Sequence, residues 1–349
     1  MKVILKKHSI PLFIACLLSS THVLAGDPVV EKKKTYTKSY TVNNSDKISF
    51  YNQFGELKIN TWDKNEVKAT VTITAEASTD EKAQAILDYI SIEDGKSNDG
   101  VFFKTKIEKQ KNSLWGKGEK QGYRIDYVVY VPARNPLMAK NDFGPLSIGD
   151  YSGEITLDSK YGSLTTGKLS NVNKVLVEYG KATIGSINNG SLVIKYSKAA
   201  IDNLDGNVNA VFEYCHIAKL GVDNNAKTLT VKNSYSQLYL DVNTNFSASF
   251  DISTNYGNLH NKTNFDIKEE KEDDDQHGPR FNKRYLGKSG SGNTAMKIKS
   301  DYGQVTLAHD INVNLNKEER EDREERKDRD KDKNKDKDKQ KDKKTTVRI

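Results

Sequence analysis

A cysteine beside a histidine is the first pair in this sequence with the means for covalent chemistry. Cys215-His216 offers a thiol and a base, and an imidazole that generates a thiolate makes a nucleophile. Adjacent residues of a strand point to opposite faces, so the two are badly placed to share a proton. A small apolar residue beside an exposed histidine is expected instead. The acidic run of Glu269, Glu270, Glu272, Asp273, Asp274 and Asp275 has the oxygen donors that a hard cation such as calcium takes. It has neither EF-hand spacing nor a nonapeptide Gly-Asp repeat, which favours a solvated loop. His216, His260, His277 and His309 show no close paired spacing for zinc. No Gly-x-Ser-x-Gly, phosphate loop or dinucleotide fingerprint occurs. The sequence therefore assigns no catalytic, cofactor or metal residue, and the chain is not expected to be an enzyme.

The strongest pattern is a repeated pair, an aromatic residue followed by a small one. It occurs at Phe143, Tyr161, Tyr179, Tyr196, Tyr214, Tyr235, Tyr256 and Tyr302, with successive spacings of 18, 18, 17, 18, 21, 21 and 46. The last spacing becomes 21 if a 25-residue insertion lies near Asn264–Gly292. Four residues before each aromatic stand Ala139, Leu157, Val175, Leu192, Ala210, Val231, Ile252 and Ile298. Three residues after it stand Leu146, Leu164, Ala182, Ala199, Ile217, Leu238, Leu259 and Val305.

These two positions are seven apart, and an odd separation in an unbroken strand places side chains on opposite faces. For both to reach one core the chain must bend between them. The small residue after the aromatic is the expected site of that bend. Each unit then reads as strand, corner, strand, turn. The turns are rich in Asn, Asp, Gly and Ser, as in 186–190 and 203–207. A unit this small buries no core alone, so units of 18–21 residues stacked at about 4.8 Å are expected. The fold class is all-β, a single-stack beta-solenoid with a β-rich N-terminal region. The aromatics are expected to stack as a structural ladder.

The chain has 349 residues and a net charge of +7. Most of that charge lies at its two ends, because residues 26–316 carry 37 basic and 36 acidic side chains. A near-neutral body gives no basic face for nucleic acid. Residues 1–25 read as a signal peptide, with Lys2, Lys6 and Lys7, an apolar Ile10–Ser19 and a small residue at Ala25. A lipoprotein cut at Cys16 lacks the usual leucine three positions before it. No later segment is apolar enough for a helical membrane span. Residues 26–135 form the N-terminal region, a candidate cap, and residues 136–310 the repeats, with a polar insertion near 264–292. Residues 311–349 are a charged tail, expected to be disordered.

Phe54-Gly55 repeats the pattern with Phe50 before it and Leu57 after it, as a first, divergent rung. Strands are expected at Val67–Ile73, Val101–Ile107 and Tyr123–Val131. A helix is expected where Ser78 and Glu81 form a capping box ahead of Ala83, Ile86, Leu87 and Ile90. Leu114-Trp115-Gly116 is an exposed aromatic candidate for binding.

Phe50-Tyr51-Asn52-Gln53-Phe54-Gly55-Glu56-Leu57-Lys58-Ile59-Asn60-Thr61, followed by Trp62-Asp63 and the Tyr-Gly rungs behind it, resembles the adhesin-like beta-solenoid domains of unknown function in exported proteins of Bacteroidota. The resemblance spans about residues 36–310. It implies a beta-solenoid in the cell envelope and supplies no catalytic residue. The expected function is an exported, non-enzymatic protein of the periplasm or cell surface, binding an envelope or extracellular polymer or protein through solenoid faces or loops. An envelope-stress or signalling accessory role is the alternative. A polysaccharide-active enzyme would need acidic or basic side chains at equivalent outward positions of adjacent rungs. Lys160, Glu178 and Lys195, just before the aromatics, alternate in sign and read as cross-rung charge pairs.

Overall fold

The computed structural model describes residues 29–108, 121–270, 281–312 and 315. The expected signal peptide, Trp115, Glu272 to Asp275, His277 and the charged run after residue 316 lie outside the described residues. The described chain is all-β apart from one helix, with 21 strands in one sheet.

The N-terminal part contains β1 (Val30–Thr41), β2 (Ile48–Gln53), β3 (Leu57–Trp62), β4 (Glu66–Ala77), α1 (Asp80–Asp88), β5 (Ile90–Ser97), β6 (Gly100–Ile107) and β7 (Gly122–Pro132). Helix α1 begins one residue later than the capping box implies. Thr79, not Ser78, is its cap, and Thr79 Oγ1 accepts from the Lys82 N–H at 3.3 Å. Its stripe of Ala83, Ile86 and Leu87 is buried as expected, while Ile90 starts β5.

The repeats contain β8 (Leu137–Asp142), β9 (Leu146–Ile148), β10 (Tyr151–Lys160), β11 (Ser163–Glu178), β12 (Lys181–Lys195), β13 (Lys198–Glu213), β14 (Ile217–Ser234) and β15 (Gln237–Val242). The polar turns expected within each unit are absorbed into the long strands β11 to β14. Register shifts there, as between Asn188 and Gly190, mark where those turns fall. β8, β10, β11, β12, β13 and β14 pair in parallel, each with its successor. This puts Ala139, Leu157, Val175, Leu192, Ala210 and Val231 in one column, all buried. A second column runs through Leu146, Leu164, Ala182 and Ala199.

That second column then departs from the sequence reading. Ala199 pairs with Ala218, while Ile217 pairs with Lys198. His216 is an extra exposed residue after Tyr214-Cys215. One added residue turns the following side chain to the other face. Ile217 therefore packs outside with Ala200 and Leu315, and Ala218 takes the core place.

The last strands are β16 (Ala248–Asn255), β17 (Leu259–Asn261), β18 (Asp266–Glu269), β19 (Asn282–Ser289), β20 (Thr294–Asp301) and β21 (Gln304–Ala308). Their stacking is not serial. β20 lies between β14 and β16, and β21 between β15 and β17. The segment expected as one polar loop contributes β18 and β19, and β19 runs antiparallel along both β16 and β18. The first unit is likewise displaced inward, with β2 between β6 and β8 and β3 between β7 and β9. β1–β4, β4–β7 and β5–β6 are antiparallel. The sheet is thus mixed: the displaced units still pair in parallel with both neighbours, antiparallel strands flank them, and the serial order expected from the repeat holds only in the middle.

Candidate functional site

The repeat aromatics lie at the corner between the two arms of each unit. Rings at equivalent positions of paired strands are held at the strand spacing of about 4.8 Å, which falls in the range of offset stacking. Phe54, Phe143, Tyr161, Tyr179, Tyr196, Tyr214, Tyr235, Tyr302, Tyr256 and Phe281 stack in that order at 4.6–5.0 Å. Interplanar angles stay between 1° and 6° up to Tyr256, and Phe281 closes the row at 26°. Tyr302 stands between Tyr235 and Tyr256, out of chain order. The ring faces cover one another, so the exposed half of each ring, 47–51% from Phe143 to Tyr302, is its edge.

The bend itself sits on the aromatic residue. Phe54, Phe143, Tyr161, Tyr179, Tyr196, Tyr214, Tyr235, Tyr256 and Tyr302 all have φ between 49° and 62°. The left-handed region costs an L-residue roughly 1–2 kcal/mol. None of the small residues that follow these aromatics has a positive φ. Their smallness has another cause. A Cβ on Gly162 would lie 1.9 Å from the Gly144 carbonyl oxygen, and one on Gly144 would lie 2.0 Å from that of Gly55. The glycines let adjacent backbones touch, while the aromatic N–H groups bond the neighbouring unit, as Tyr161 does to the Glu178 carbonyl at 3.0 Å.

In the middle of the row Ser197, Cys215 and Ser236 replace glycine. Their side chains take up backbone groups of the preceding unit. The Gly180 N–H donates to Ser197 Oγ at 3.0 Å and the Cys215 N–H to Ser236 Oγ at 2.8 Å. The Cys215 thiol donates to the Ile194 carbonyl at 3.3 Å, and burial, the largest influence, pushes that thiol up from its ordinary pKa. Cys215 is fully buried and His216 exposed, so the two share no proton path.

Beside the ladder runs a column of alternating charge. Lys160 meets Glu178 at 2.7 Å, as the sequence implied, and Lys195 meets Glu213, which the sequence reading did not name, at 2.8 Å. The hydrogen bond each lysine donates to its glutamate raises that lysine above the usual value. Asp158, on the same face, is raised chiefly by burial. His260 bonds Gln304 and His309 bonds the Val242 carbonyl, far from any convergent set. Glu270 pairs with Arg284, and no group of three candidate metal ligands occurs among the described residues.

At its N-terminal end the ladder meets a ring turned across it. Tyr123 approaches Phe54 edge to face, at 5.3 Å and 76°. The angle between them opens a cleft of about 540 Å³ lined by Phe54, Glu56, Tyr123, Arg124, Asp126, Phe143 and Pro145, with Gly55 and Gly144 in its floor. Asp126 is fixed there, its Oδ1 accepting from the Glu56 N–H at 3.0 Å and its Oδ2 from Arg124 Nε at 2.7 Å. Sequence reasoning did not single out these polar residues, which come from separate segments.

No protein-family model matches the chain. No curated protein matches it either. Among solved structures, a provisionally named cell adhesion protein of Clostridium sporogenes is 12% identical, over 80% of this chain and 100% of its own, with a TM-score of 0.21. A provisionally named adhesin of Bacteroides fragilis is 12% identical over 78% and 97%, with a TM-score of 0.35. A provisionally named lipid-binding protein of Parabacteroides distasonis is 10% identical over 78% and 96%, with a TM-score of 0.27. Likeness at this level carries no argument about what this chain binds.

Proposed function

We propose that the chain is an exported, non-enzymatic, adhesin-like protein of the periplasm or cell surface. Its units wind as a beta-solenoid, and its aromatic ladder meets an extended polymer or protein partner. On this reading residues 1–25 are removed on export, 26–135 cap the winding, 136–310 carry it, and the tail of 311–349 remains charged and solvated. The observation that carries the reading is the ladder's exposure. Nine rings from Phe143 to Phe281 are exposed by 47–51%. Half an aromatic side chain is roughly 75–125 Å², so the row presents on the order of 700–1,100 Å² of ring edge. The largest apolar patch of a typical monomer is about 300–600 Å² and often functional. The corner strain points the same way, since strained backbone persists where the surroundings hold it and concentrates at functional sites.

The test separates binding from stability. Tyr196→Gly removes two stacking contacts, about 0.5–1.5 kcal/mol each, and relieves roughly 1–2 kcal/mol of left-handed strain. The unfolding midpoint is therefore expected to stay close to that of the unaltered chain. Glycan and polypeptide arrays probed with the whole chain should show a ligand whose binding falls when Tyr179→Gly and Tyr196→Gly are combined. Binding unchanged in that variant would remove the ladder from the proposal, and turnover of a polysaccharide would remove the non-enzymatic reading. Fractionation with surface proteolysis assigns the compartment.

A further inference from the structure

The cleft at the N-terminal end of the ladder differs from the rest of the row in one respect. Elsewhere the rings cover one another's faces and leave only edges. Here Tyr123 stands at 76° to Phe54, so two differently oriented aromatic surfaces bound one opening. Pro145 adds a third apolar surface. The same opening is lined by one basic residue, Arg124, and two acidic ones, Glu56 and Asp126. Arg124 is 66% exposed and its ion pair uses Nε, while Asp126 is only 24% exposed and held by two hydrogen bonds. At the opposite end Phe281 closes the row at 26°.

The mixture of groups narrows the ligand. A cation would face Arg124, and an anion would face Glu56 and Asp126. An apolar ligand would cover Glu56 and the outer side of the Arg124–Asp126 pair without offering them a hydrogen bond, which is unfavourable. A neutral molecule with an apolar face and a rim of hydroxyls avoids all three penalties. Its hydroxyls donate to the carboxylates and accept from the guanidinium. Its C–H face lies on aromatic rings, whose π-faces are negative. A pyranose is such a molecule, and the volume lies within the range of small-molecule sites. We propose that this cleft binds one pyranose unit of a neutral glycan. The inference deepens the reading of the chain as a binding protein but does not depend on the middle of the ladder.

The test is saturation-transfer NMR on the whole chain with glucose, galactose, mannose, N-acetylglucosamine and their β-linked disaccharides, beside lysine, choline and glucuronate. At least one neutral sugar should receive saturation at its ring protons. Arg124→Leu, at an exposed position that leaves folding intact, should weaken that sugar roughly tenfold, as loss of a hydrogen bond to a charged group does. Tyr123→Ala should do the same, and Lys268→Ala, on β18 away from the ladder and the cleft, should leave it unchanged. Absence of signal from every neutral sugar overturns the proposal. So does stronger binding of lysine, choline or glucuronate, or a sugar signal that survives Arg124→Leu and Tyr123→Ala together. Sugar binding that persists while polymer binding ignores the Tyr179→Gly and Tyr196→Gly pair would sink the ladder reading and leave the cleft standing.

Discussion

The central units, from Tyr161 to Tyr235, and the two ends share one aromatic corner but are joined differently. In the centre each unit pairs with its neighbour in sequence, as Val175 does with Leu192 and Leu192 with Ala210. At the ends the outermost units in sequence are tucked one place inward. β2 and β3 are covered by β6 and β7, and β20 and β21 by β16 and β17. Antiparallel strands then close over them, β4 on β7 at one end and β19 on β16 at the other. A parallel stack that simply stopped would leave a row of open backbone groups ready to pair with another chain. The regular middle needs only repetition, whereas the ends need contacts between distant segments.

The corners also differ along the row, and the largest predicted effect lies there. The residue after the aromatic is glycine at Gly55, Gly144, Gly162 and Gly180, and again at Gly303 and Gly257. Between them Ser197, Cys215 and Ser236 tolerate a Cβ, the two serines accepting a neighbouring N–H and the Cys215 thiol donating to the Ile194 carbonyl. Gly162→Ala places its Cβ against the Gly144 carbonyl, and neither backbone is able to retreat. A loss of about 4 kcal/mol or more is expected. Ser197→Gly removes one acceptor and one donor and should lose about 1–3 kcal/mol. Urea unfolding of both variants checks the ranking. Equal losses would mean that the two kinds of corner are interchangeable.

How much of this was legible depends on the same contrast. The middle was readable because equivalent residues stack directly: columns through Val175 and through Ala182 follow from spacing alone. The location of the bend was not readable. A bulky residue in the left-handed region is rare, so glycine drew the assignment that Tyr161 and its equivalents hold. Ile217 and Ala218 are both apolar, and composition could not tell which one His216 would turn outward. The order of Tyr235, Tyr302 and Tyr256 was hidden because β20 fits equally beside β14 and β16, both in parallel. The cleft was hidden because residues 54–56, 123–126 and 143–145 meet only once the first unit is inserted inward.

A second, smaller effect distinguishes the interior of the three middle units from the rest. Two residues before the aromatic, Val177, Ile194 and Phe212 are buried in the units of Tyr179, Tyr196 and Tyr214, whereas Asn52, Asn141, Ser159, Asn233, Thr254 and Ser300 are buried in the others. The polar residues act as clasps on the corner. Asn141 Nδ2 donates to the Gly55 carbonyl at 3.0 Å and to the Pro145 carbonyl at 3.1 Å. Asn233 Nδ2 donates to Ser236 and Ser300. Asn141→Ala should lose about 1–3 kcal/mol by removing its donor from the buried Gly55 carbonyl, while the Pro145 carbonyl keeps the Leu57 N–H. Ile194→Val, which creates no such orphan, should lose about 0.5–1.5 kcal/mol. Thermal unfolding of the pair checks this, and an Asn141→Ala variant as stable as the unaltered chain would show that the clasp is dispensable.

The smallest effect is at the N-terminal junction and has no counterpart in the centre. Tyr36 and Tyr40 of β1 both donate to the Asp94 carboxylate of β5, joining two strands that do not pair. The hydrogen bond to Asp94, ahead of burial, pushes Tyr40 from 10.0 up to about 12. Tyr36 is raised as well, by burial first and then by Asp94. A raised folded-state value means that the folded chain holds the proton more firmly. The stabilisation is then complete below pH 10.0 and is lost as pH rises through about 12. Thermal midpoints measured across this window should fall more steeply for the unaltered chain than for Tyr36→Phe combined with Tyr40→Phe. That variant lacks both phenols and starts slightly lower. Parallel declines would show that the junction is held by packing of the rings alone, with Asp94 accepting nothing that matters to stability.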